Sequence, residues 1–301
     1  MTTTETTHRG KIIIGTRGSP LALAQAELAR AALERSVPDA ETELKIFVTQ
    51  GDRKLAWSLE KTGGKGLFTS ELETALVEGE IDVAVHSGKD LPTALAAGTA
   101  LAGCLPRADA HDVLVLRENL PEGVPAKIAT GSPRRRAQAR ASLFPFAEFS
   151  ELRGNLGSRL KKIAEGAEAD ATFLAAAGLA RLGIDEFPGL EFRPLPFDVM
   201  VPAAAQAAIA LQTRSRDAEF FARICDAETT LAVSVERAFL AALGEGCHSA
   251  FAVHFFEDRL LLFREDVGRR EIEFPAPAPE DVPAAVAELI PKIFSRAEKD
   301  R

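Results

Sequence analysis

Short apolar runs alternate with amphipathic stretches along the first ninety or so residues of the chain. Lys11 to Thr16 is an apolar run that ends in a turn, which indicates a buried strand. Ser19 and Pro20 then open a helix to about Ser36, with the serine as N-cap and the proline in the first turn. A strand, a helix and a buried strand are expected next, at 42–49, 68–78 and 81–86. This order predicts a parallel, doubly wound sheet.

The same alternation resumes near Pro106 and predicts a second α/β domain. Strands are expected at 112–116, 127–130, 148–152 and 170–174. Ser132 and Asn155 are predicted N-caps of two helices, and an alanine-rich helix is expected from Ala175 to Leu182.

The pattern changes in the last third of the chain. Met200 to Thr213 is expected to be helical after Pro202 and to return to the first domain. A helix from Glu228 to Leu243 ends at Gly244. A hairpin, a third strand and a final helix are expected at 252–263, 271–274 and 284–297.

The predicted fold class is therefore α/β, with two doubly wound domains like those of periplasmic binding proteins and a small α+β C-terminal domain. Domain 1 is expected to comprise residues 11–105 with 200–222. Domain 2 is expected at 106–199, and domain 3 at 223–301.

Composition and charge narrow the functional class. The chain has 301 residues, of which 46% are hydrophobic, and no apolar run reaches the length of a membrane span. Its net charge of −8 argues against a nucleic-acid binder, which needs a basic excess. Cys104, Cys225 and Cys247 are far apart, which suggests a reducing compartment. With an N-terminus that lacks the features of a secretory signal, this predicts a cytoplasmic protein.

The stretch from Gly63 to Pro92 reads as a glycine-rich loop, a helix, a strand and a second loop. The first loop offers Lys65 and Phe68, and the second offers Lys89 and Asp90. A lysine beside an aspartate after a buried strand lies where an open α/β sheet places its ligand chemistry.

Arginines are concentrated further along the chain, at positions 134, 135, 136, 153 and 159. A local basic cluster in an acidic protein indicates a focused anion site. The alternative is a solvated helix face, which an isolated run of three arginines fits equally well.

Seven motifs in series give the chain a resemblance to the porphobilinogen deaminase family, also called hydroxymethylbilane synthases. They are TRGSPLALAQ at 16–25, GGKGLF at 63–68, AVHSGKDLPT at 84–93, TGSPRRRAQ at 130–138, LRGNLGSRL at 152–160, LAAAGLARLG at 174–183, and ERAFL with GC within 236–247. The resemblance implies a transferase of tetrapyrrole and heme biosynthesis. Such enzymes condense four porphobilinogen units into hydroxymethylbilane, with loss of ammonia, on a covalent dipyrromethane primer.

The substrate side chains, an acetate and a propionate on each pyrrole, make the growing chain a polyanion that suits arginine. By resemblance, Asp90 is the catalytic residue. The cofactor-binding residues implied are Lys89, Asp90, Thr130, Gly131, Ser132, Arg134, Arg135, Arg153 and Cys247. The substrate-binding residues implied are Arg17, Ser19, Lys65, Phe68, Arg153, Arg159, Arg181 and Gln206. For any one arginine the alternative is a surface ion pair, and for Asp90 it is a loop cap.

Cys247 is the cysteine at which the family attaches its dipyrromethane through a thioether. Cys104, in an apolar strand-like run, and Cys225, on a helix, are interpreted as buried structural thiols. No metal is expected, because no His and Cys set has convincing ligand spacing. The implied partners are porphobilinogen and linear oligopyrroles, with no nucleic acid and no membrane, and the protein is expected to be a monomer.

Three segments depart from the family pattern. The usual GGC reads Gly-Glu-Gly-Cys at 244–247, the usual GQGA reads Ala-Gln-Ala-Ala at 205–208, and Gly88 replaces a methionine. Two alternatives therefore stay open. One is a non-catalytic two-domain anion-binding protein, and the other is a diverged deaminase impaired in cofactor loading.

Overall fold

The computed structural model describes residues 11–49, 69–166, 168–245 and 249–294. The strands are β1 (Ile12–Arg17), β2 (Thr42–Phe47), β3 (Val83–Ser87), β4 (Thr99–Cys104), β5 (Asp112–Arg117), β6 (Lys127–Ala129), β7 (Glu148–Ser150), β8 (Ala171–Ala175), β9 (Leu190–Leu195), β10 (Ile209–Arg214), β11 (Phe251–Phe256), β12 (Arg259–Arg264) and β13 (Gly268–Glu273). The helices are α1 (Pro20–Ser36), α2 (Ser70–Glu78), α3 (Pro133–Ser142), α4 (Leu156–Ala164), α5 (Ala176–Arg181), α6 (Ala218–Ala222), α7 (Ala227–Leu243) and α8 (Val282–Phe294).

Two compact units divide the described residues. The first contains 11–49, 69–107 and 208–230, and the second contains 108–166, 168–207, 231–245 and 249–294. The chain thus leaves the first unit after Arg107 and re-enters it at Ala208. The finer division into three domains stays a prediction.

The first unit is built on a five-stranded sheet of order β2-β1-β3-β10-β4. Strand β1 pairs in parallel with β2 and β3, whereas β10 runs antiparallel to β3 and β4. Ile12, Val83 and Leu211 are buried beneath α1 in its core, together with Leu33 of that helix. The core therefore fixes the carboxyl ends of β1 and β3, from which the candidate site residues follow.

A second five-stranded sheet, of order β7-β6-β8-β5-β9, forms part of the second unit. Strand β6 pairs in parallel with β7 and β8, and β5 pairs antiparallel with β8 and β9. Buried residues cover both faces, with Val113 and Leu160 on one side and Leu114 and Phe173 on the other. Covering on both faces explains why these strands read as continuous apolar runs.

The second unit also contains a three-stranded antiparallel sheet, β11-β12-β13, with α7 and α8 packed against it. Phe239 of α7 and Val286 of α8 are fully buried against Val253 of β11. Glu257 and Asp258 turn the first hairpin with φ of 47° and 56°. Both values are left-handed, as a two-residue type I′ turn requires.

The structure confirms the predicted fold class: two α/β sheets and a small α+β part. It also confirms the Ser19, Ser132 and Asn155 caps, each of which accepts a hydrogen bond from a backbone amide of its helix. The sheets are mixed, since β10 and β5 each return antiparallel to their neighbours. Strand β9 had no counterpart among the predicted elements, whereas β4 contains the strand-like run expected at Cys104.

The helix expected after Pro202 is wrong. Residues 204–207 form turns, and Ile209–Arg214 is the buried strand β10. A short apolar run has no periodicity that separates a buried strand from a helix, and alanine favours the helical interpretation. Cys225 was also misplaced: it lies in the turn between α6 and α7 and is half-buried.

Ala205 and Ala207 have φ of 56° and 69°, which is left-handed backbone. These are the two positions at which the family motif has glycine. Left-handed backbone costs about 1–2 kcal/mol for a residue that has a side chain. The connection formed by residues 201–208 therefore keeps the backbone geometry that glycine favours, although it has alanine at both positions.

Among the described residues, no helix combines the length and apolar character that crossing a membrane requires. Nor do the described histidines, cysteines and carboxylates form any group of three that could hold a metal ion.

Candidate active site

Asp90 lies on a short 3-10 turn, Gly88–Asp90, that directly follows the buried strand β3. The Gly88 amide donates to the carbonyl of Ala208 at 2.9 Å, and Ser87 Oγ donates to Gln25 Oε1 at 3.0 Å. These bonds anchor the turn to β10 and to α1. The Asp90 side chain is exposed, and that of Lys89 is half-buried. A fixed backbone therefore presents an accessible carboxylate.

Arg17 and Ser19 lie at the same edge of this sheet, because β1 and β3 are parallel neighbours. Ser19 Oγ accepts from the Ala22 amide at 3.2 Å and caps α1. Amides at a helix N-terminus favour anions. The first unit thus brings a carboxylate, two cationic side chains and a helix N-terminus to one edge.

A second helix N-terminus lies in the other unit, where Thr130 and Gly131 lead into α3. Thr130 Oγ1 accepts from the Ser132 amide at 3.2 Å, and Ser132 Oγ accepts from the Arg135 amide at 3.4 Å. Thr130 is buried, whereas Gly131 and Ser132 are half-buried. This turn is held by its own side chains and leaves a partly open helix end.

Arg134 and Arg135 follow on α3, and both point inward. Arg134 Nη1 lies 2.7 Å from Asp112 Oδ2 and donates to the Val201 carbonyl at 2.6 Å. Arg135 donates to Asp112 Oδ1 through Nε and Nη2, at 3.0 and 2.6 Å, and to the Phe173 carbonyl at 2.8 Å. Both guanidinium groups are buried. They are fixed charges rather than the solvated face of a helix.

Asp112 is fully buried between these two arginines. Burial opposes its ionisation, but the charges of Arg134 and Arg135 outweigh burial and hold the pKa of Asp112 well below its ordinary value. Burial also lowers the pKa of Arg134. One carboxylate balances two guanidinium groups, so a positive charge is left over.

Gln206 extends this network into the 201–208 connection. Its Nε2 donates to Asp112 Oδ1 at 3.2 Å and to the Ala110 carbonyl at 2.8 Å. The left-handed residues on either side of it, Ala205 and Ala207, set the direction of its backbone. Ala205 is itself held by Glu236 of α7, whose Oε2 accepts from its amide at 2.6 Å.

Arg181, at the end of α5, adds a third cation to this part of the second unit. Its Nη2 donates to the Ala207 carbonyl. Within the part of the chain that the structure describes, no carboxylate forms an ion pair with it. Burial lowers its pKa to about 10. Arg181 is therefore a partly buried cation without a described counter-charge, and it bonds the residue next to Gln206 of the Asp112 network.

The two remaining arginines belong to the segment that enters α4. Arg153 donates to Glu151 Oε2 through Nε at 3.3 Å and Nη2 at 3.1 Å. Arg159 Nε donates to the Gly154 carbonyl at 2.8 Å. A Cβ atom at Gly131 would lie 3.6 Å from Arg153 Cζ. Arg153 is thus placed next to the turn that precedes α3.

Three of the predicted residues, Lys65, Phe68 and Cys247, lie outside the described residues. Glu245, the added acidic residue of the altered loop, lines an open depression together with Arg264, Glu265 and Asp266.

Asp112 and Glu236 are the residues that sequence reasoning missed. Asp112 opens the apolar run DVLVL, and a carboxylate at the start of a fully buried strand needs a cationic partner. That signal was available. The sequence around Glu236 contained no comparable signal beyond the place of this residue in the ERAFL motif.

Replacing Asp112 by Asn should destabilise the fold by about 3–5 kcal/mol, because two buried guanidinium groups lose their counter-charge. Because folding lowers the pKa of Asp112, its ionised carboxylate stabilises the fold fully only above the pKa of the unfolded chain, ~3.9. This stabilisation is lost as the pH falls from there through the folded pKa. The variant should therefore show a flatter loss of stability between about pH 5 and pH 2. Urea unfolding at a series of pH values measures both the destabilisation and its pH dependence. Asp109→Asn, a change at an exposed carboxylate, is the control, and equal stability of the two variants would contradict the account.

The family model described as porphobilinogen deaminase, dipyromethane cofactor binding domain, matches residues 12–222. The porphobilinogen deaminase of Roseiflexus sp. (strain RS-1) is 41% identical over 269 residues, 86% of each chain. That of Sphingopyxis alaskensis is 45% identical over 254 residues, 80% of this chain and 78% of its own.

Among solved structures, the chain is similar to the aliphatic sulphonate binding protein SsuA of Escherichia coli. The TM-score is 0.43 at 16% identity, over 78% of this chain and 70% of that one. The fold defines an α/β protein with two five-stranded mixed sheets and a small three-stranded antiparallel sheet. More particularly, the chain belongs to the porphobilinogen deaminase family, whose model covers well over half of it.

Proposed function

We propose that this protein is a hydroxymethylbilane synthase, a transferase that condenses four porphobilinogen molecules head to tail and releases one ammonia for each. Two observations carry the proposal: Arg134 and Arg135 share the single carboxylate of Asp112, and Arg181 is half-buried and forms no ion pair with a described carboxylate. Burying a cation is costly unless an anion offsets it. A ligand with an acetate and a propionate on every pyrrole supplies such anions.

The same residues fit a dipyrromethane. Its carboxylates would be held at the N-terminus of α3 by Thr130, Gly131 and Ser132, and by charge from Arg134, Arg135 and Arg153. Lys89 and Asp90 would contact it from the β3 turn, and Cys247 would attach it. When bound, it supplies a pyrrole carbon that acts as nucleophile toward the first substrate. We assign the substrate carboxylates to Arg17, Ser19, Lys65, Arg159, Arg181 and Gln206, and a substrate ring contact to Phe68.

Asp90 is assigned the chemical work. In each round the bond between the aminomethyl carbon and nitrogen of porphobilinogen breaks, and ammonia leaves with a proton. A bond forms between that carbon and the free α-carbon of the preceding pyrrole, which then loses its proton. A carboxylate can stabilise the cationic pyrrole and accept or return protons. The exposed carboxylate of Asp90, on an anchored turn, suits this role.

Arg181→Met should separate binding from stability. Removing a half-buried cation should raise the free energy of unfolding by roughly 1 kcal/mol. Losing a charge-assisted contact should lower kcat/KM for porphobilinogen at least about tenfold. Thermal unfolding and steady-state kinetics measure the two effects. Arg193→Met is the control, because Arg193 is exposed and fully paired with Glu191. If Arg181→Met had the same kcat/KM as this control, Arg181 would not bind the substrate.

The test of the proposed function is the stoichiometry of turnover. Purified protein supplied with porphobilinogen should release one ammonia per substrate consumed and one linear tetrapyrrole per four. Binding of porphobilinogen without ammonia release would favour the non-catalytic anion-binding alternative. A slow onset of turnover that added dipyrromethane primer abolishes would favour impaired cofactor loading. The monomeric state and the cytoplasmic location stay predictions.

A further inference from the structure

Glu151 and Arg153 form an ion pair whose geometry differs from that of the Glu191–Arg193 pair on β9. The two residues follow β7, two positions apart, and their ion pair shows that the side chains meet on the same side of the chain. Arg153 donates through Nε and Nη2 to a single oxygen, Glu151 Oε2, at 3.3 and 3.1 Å.

Glu191 and Arg193 on β9 provide an internal comparison with the same spacing. There Nε and Nη2 donate to two different carboxylate oxygens at 2.6 and 2.7 Å. Two parallel bonds to two oxygens are the strong arrangement for a guanidinium. The pair at Glu151 is longer and uses one oxygen, so it is the weaker of the two.

The weaker pair is nevertheless the more shielded one. The side chains of Arg153 and Glu151 are 25% and 33% exposed, compared with 47% and 49% for Arg193 and Glu191. Less exposure means less screening of the charge on Arg153. The guanidinium also lies beside Gly131, at the turn before the N-terminus of α3. A second carboxylate arriving there would meet a cation that is loosely engaged.

We propose that Glu151 is an affinity-setting residue: its carboxylate occupies Arg153 until an acidic side chain of the oligopyrrole displaces it. This inference rests on the proposed function, in which Arg153 binds a pyrrole carboxylate. Glu151 thereby weakens binding of porphobilinogen and of the growing chain, and it limits how tightly intermediates are retained between rounds.

The test compares Glu151→Gln with Glu148→Gln. Both lose one negative charge from neighbouring exposed positions, but Glu148 forms no side-chain bond among the described residues. Glu151→Gln should lower the KM for porphobilinogen about fivefold with kcat unchanged, which corresponds to one partly exposed ion pair. Glu148→Gln should leave both constants unchanged. The KM advantage of Glu151→Gln should shrink at high salt.

A second measurement keeps this inference separate from the proposed function. On an Asp90→Asn background, calorimetric titration with porphobilinogen reports binding without turnover. A Kd about fivefold tighter with Glu151→Gln, but not with Glu148→Gln, supports competition. Equal affinity in all three proteins, or weaker binding with Glu151→Gln, overturns it and assigns Glu151 to holding Arg153 in place. Failure of the wild type to consume porphobilinogen overturns the proposed function alone, since the titration still decides the competition.

Discussion

The Asp90→Asn variant is expected to fold, bind porphobilinogen and turn it over at least ~10²-fold more slowly than the wild type. The substitution keeps the size of the side chain but removes the charge and the proton acceptor. The turn itself should survive, because its anchoring bonds come from the Gly88 amide and Ser87 Oγ rather than from the Asp90 side chain. The measurement is porphobilinogen consumption by purified variants at saturating substrate.

Asp90→Glu is the matched comparison. It retains the carboxylate and displaces it by one methylene, so it should lose less activity than the asparagine variant. Unchanged thermal unfolding of both would show that the loss is chemical. Near-normal turnover by Asp90→Asn would instead leave Asp90 as a loop cap and move the chemistry to another residue.

The second large effect is expected at Cys247. Cys247→Ser should abolish turnover, because the oxygen of serine is a far weaker nucleophile than a thiolate and cannot form the thioether. The variant should also lack the mass increment of a dipyrromethane. The measurements are intact mass and porphobilinogen consumption on the same preparation.

Cys225→Ser is the control for this prediction. Burial raises the pKa of the Cys225 thiol to about 12, so it is a poor thiolate at neutral pH. Its replacement should leave both the increment and the turnover in place. Full activity of an unmodified Cys247→Ser protein would refute covalent priming at this position.

The sequence predicts the elements of this fold well where caps and turns mark them. Ser19-Pro20 opens α1, Asn155 caps α4, and Gly79 ends α2 with φ of 78°. In each case a local backbone requirement determines the residue type, so the signal is present within a few residues.

The 201–208 connection shows why other parts could not be predicted. Its conformation depends on distant partners, with Gln138 bonding Val201 and Glu236 bonding Ala205. Alanine at two left-handed positions contradicts the local preference that sequence reasoning relies on. Tertiary bonds override propensity here, and the helical prediction failed for that reason.

The arginine cluster was predicted by position but not by arrangement. Sequence reasoning expected carboxylate-binding side chains and left a solvated helix face as the alternative. The structure instead buries Arg134 and Arg135 against Asp112, whose single negative charge balances only one of the two positive charges. Pairing across 22 or 23 positions of sequence cannot be deduced from the RRR motif. Direct contact of these two arginines with a ligand carboxylate stays a prediction.

The central claim is that this chain primes and elongates an oligopyrrole on itself, and intact-mass spectrometry with limiting porphobilinogen tests it most directly. The purified protein should exceed its sequence mass by one dipyrromethane. Addition of substrate should produce a ladder of heavier species, each separated by one porphobilinogen minus ammonia. A subsequent excess of porphobilinogen should complete the tetrapyrroles, and the protein should return to the starting mass once they are released and the substrate is exhausted. A protein that stays at its bare sequence mass before and after substrate addition would contradict the account.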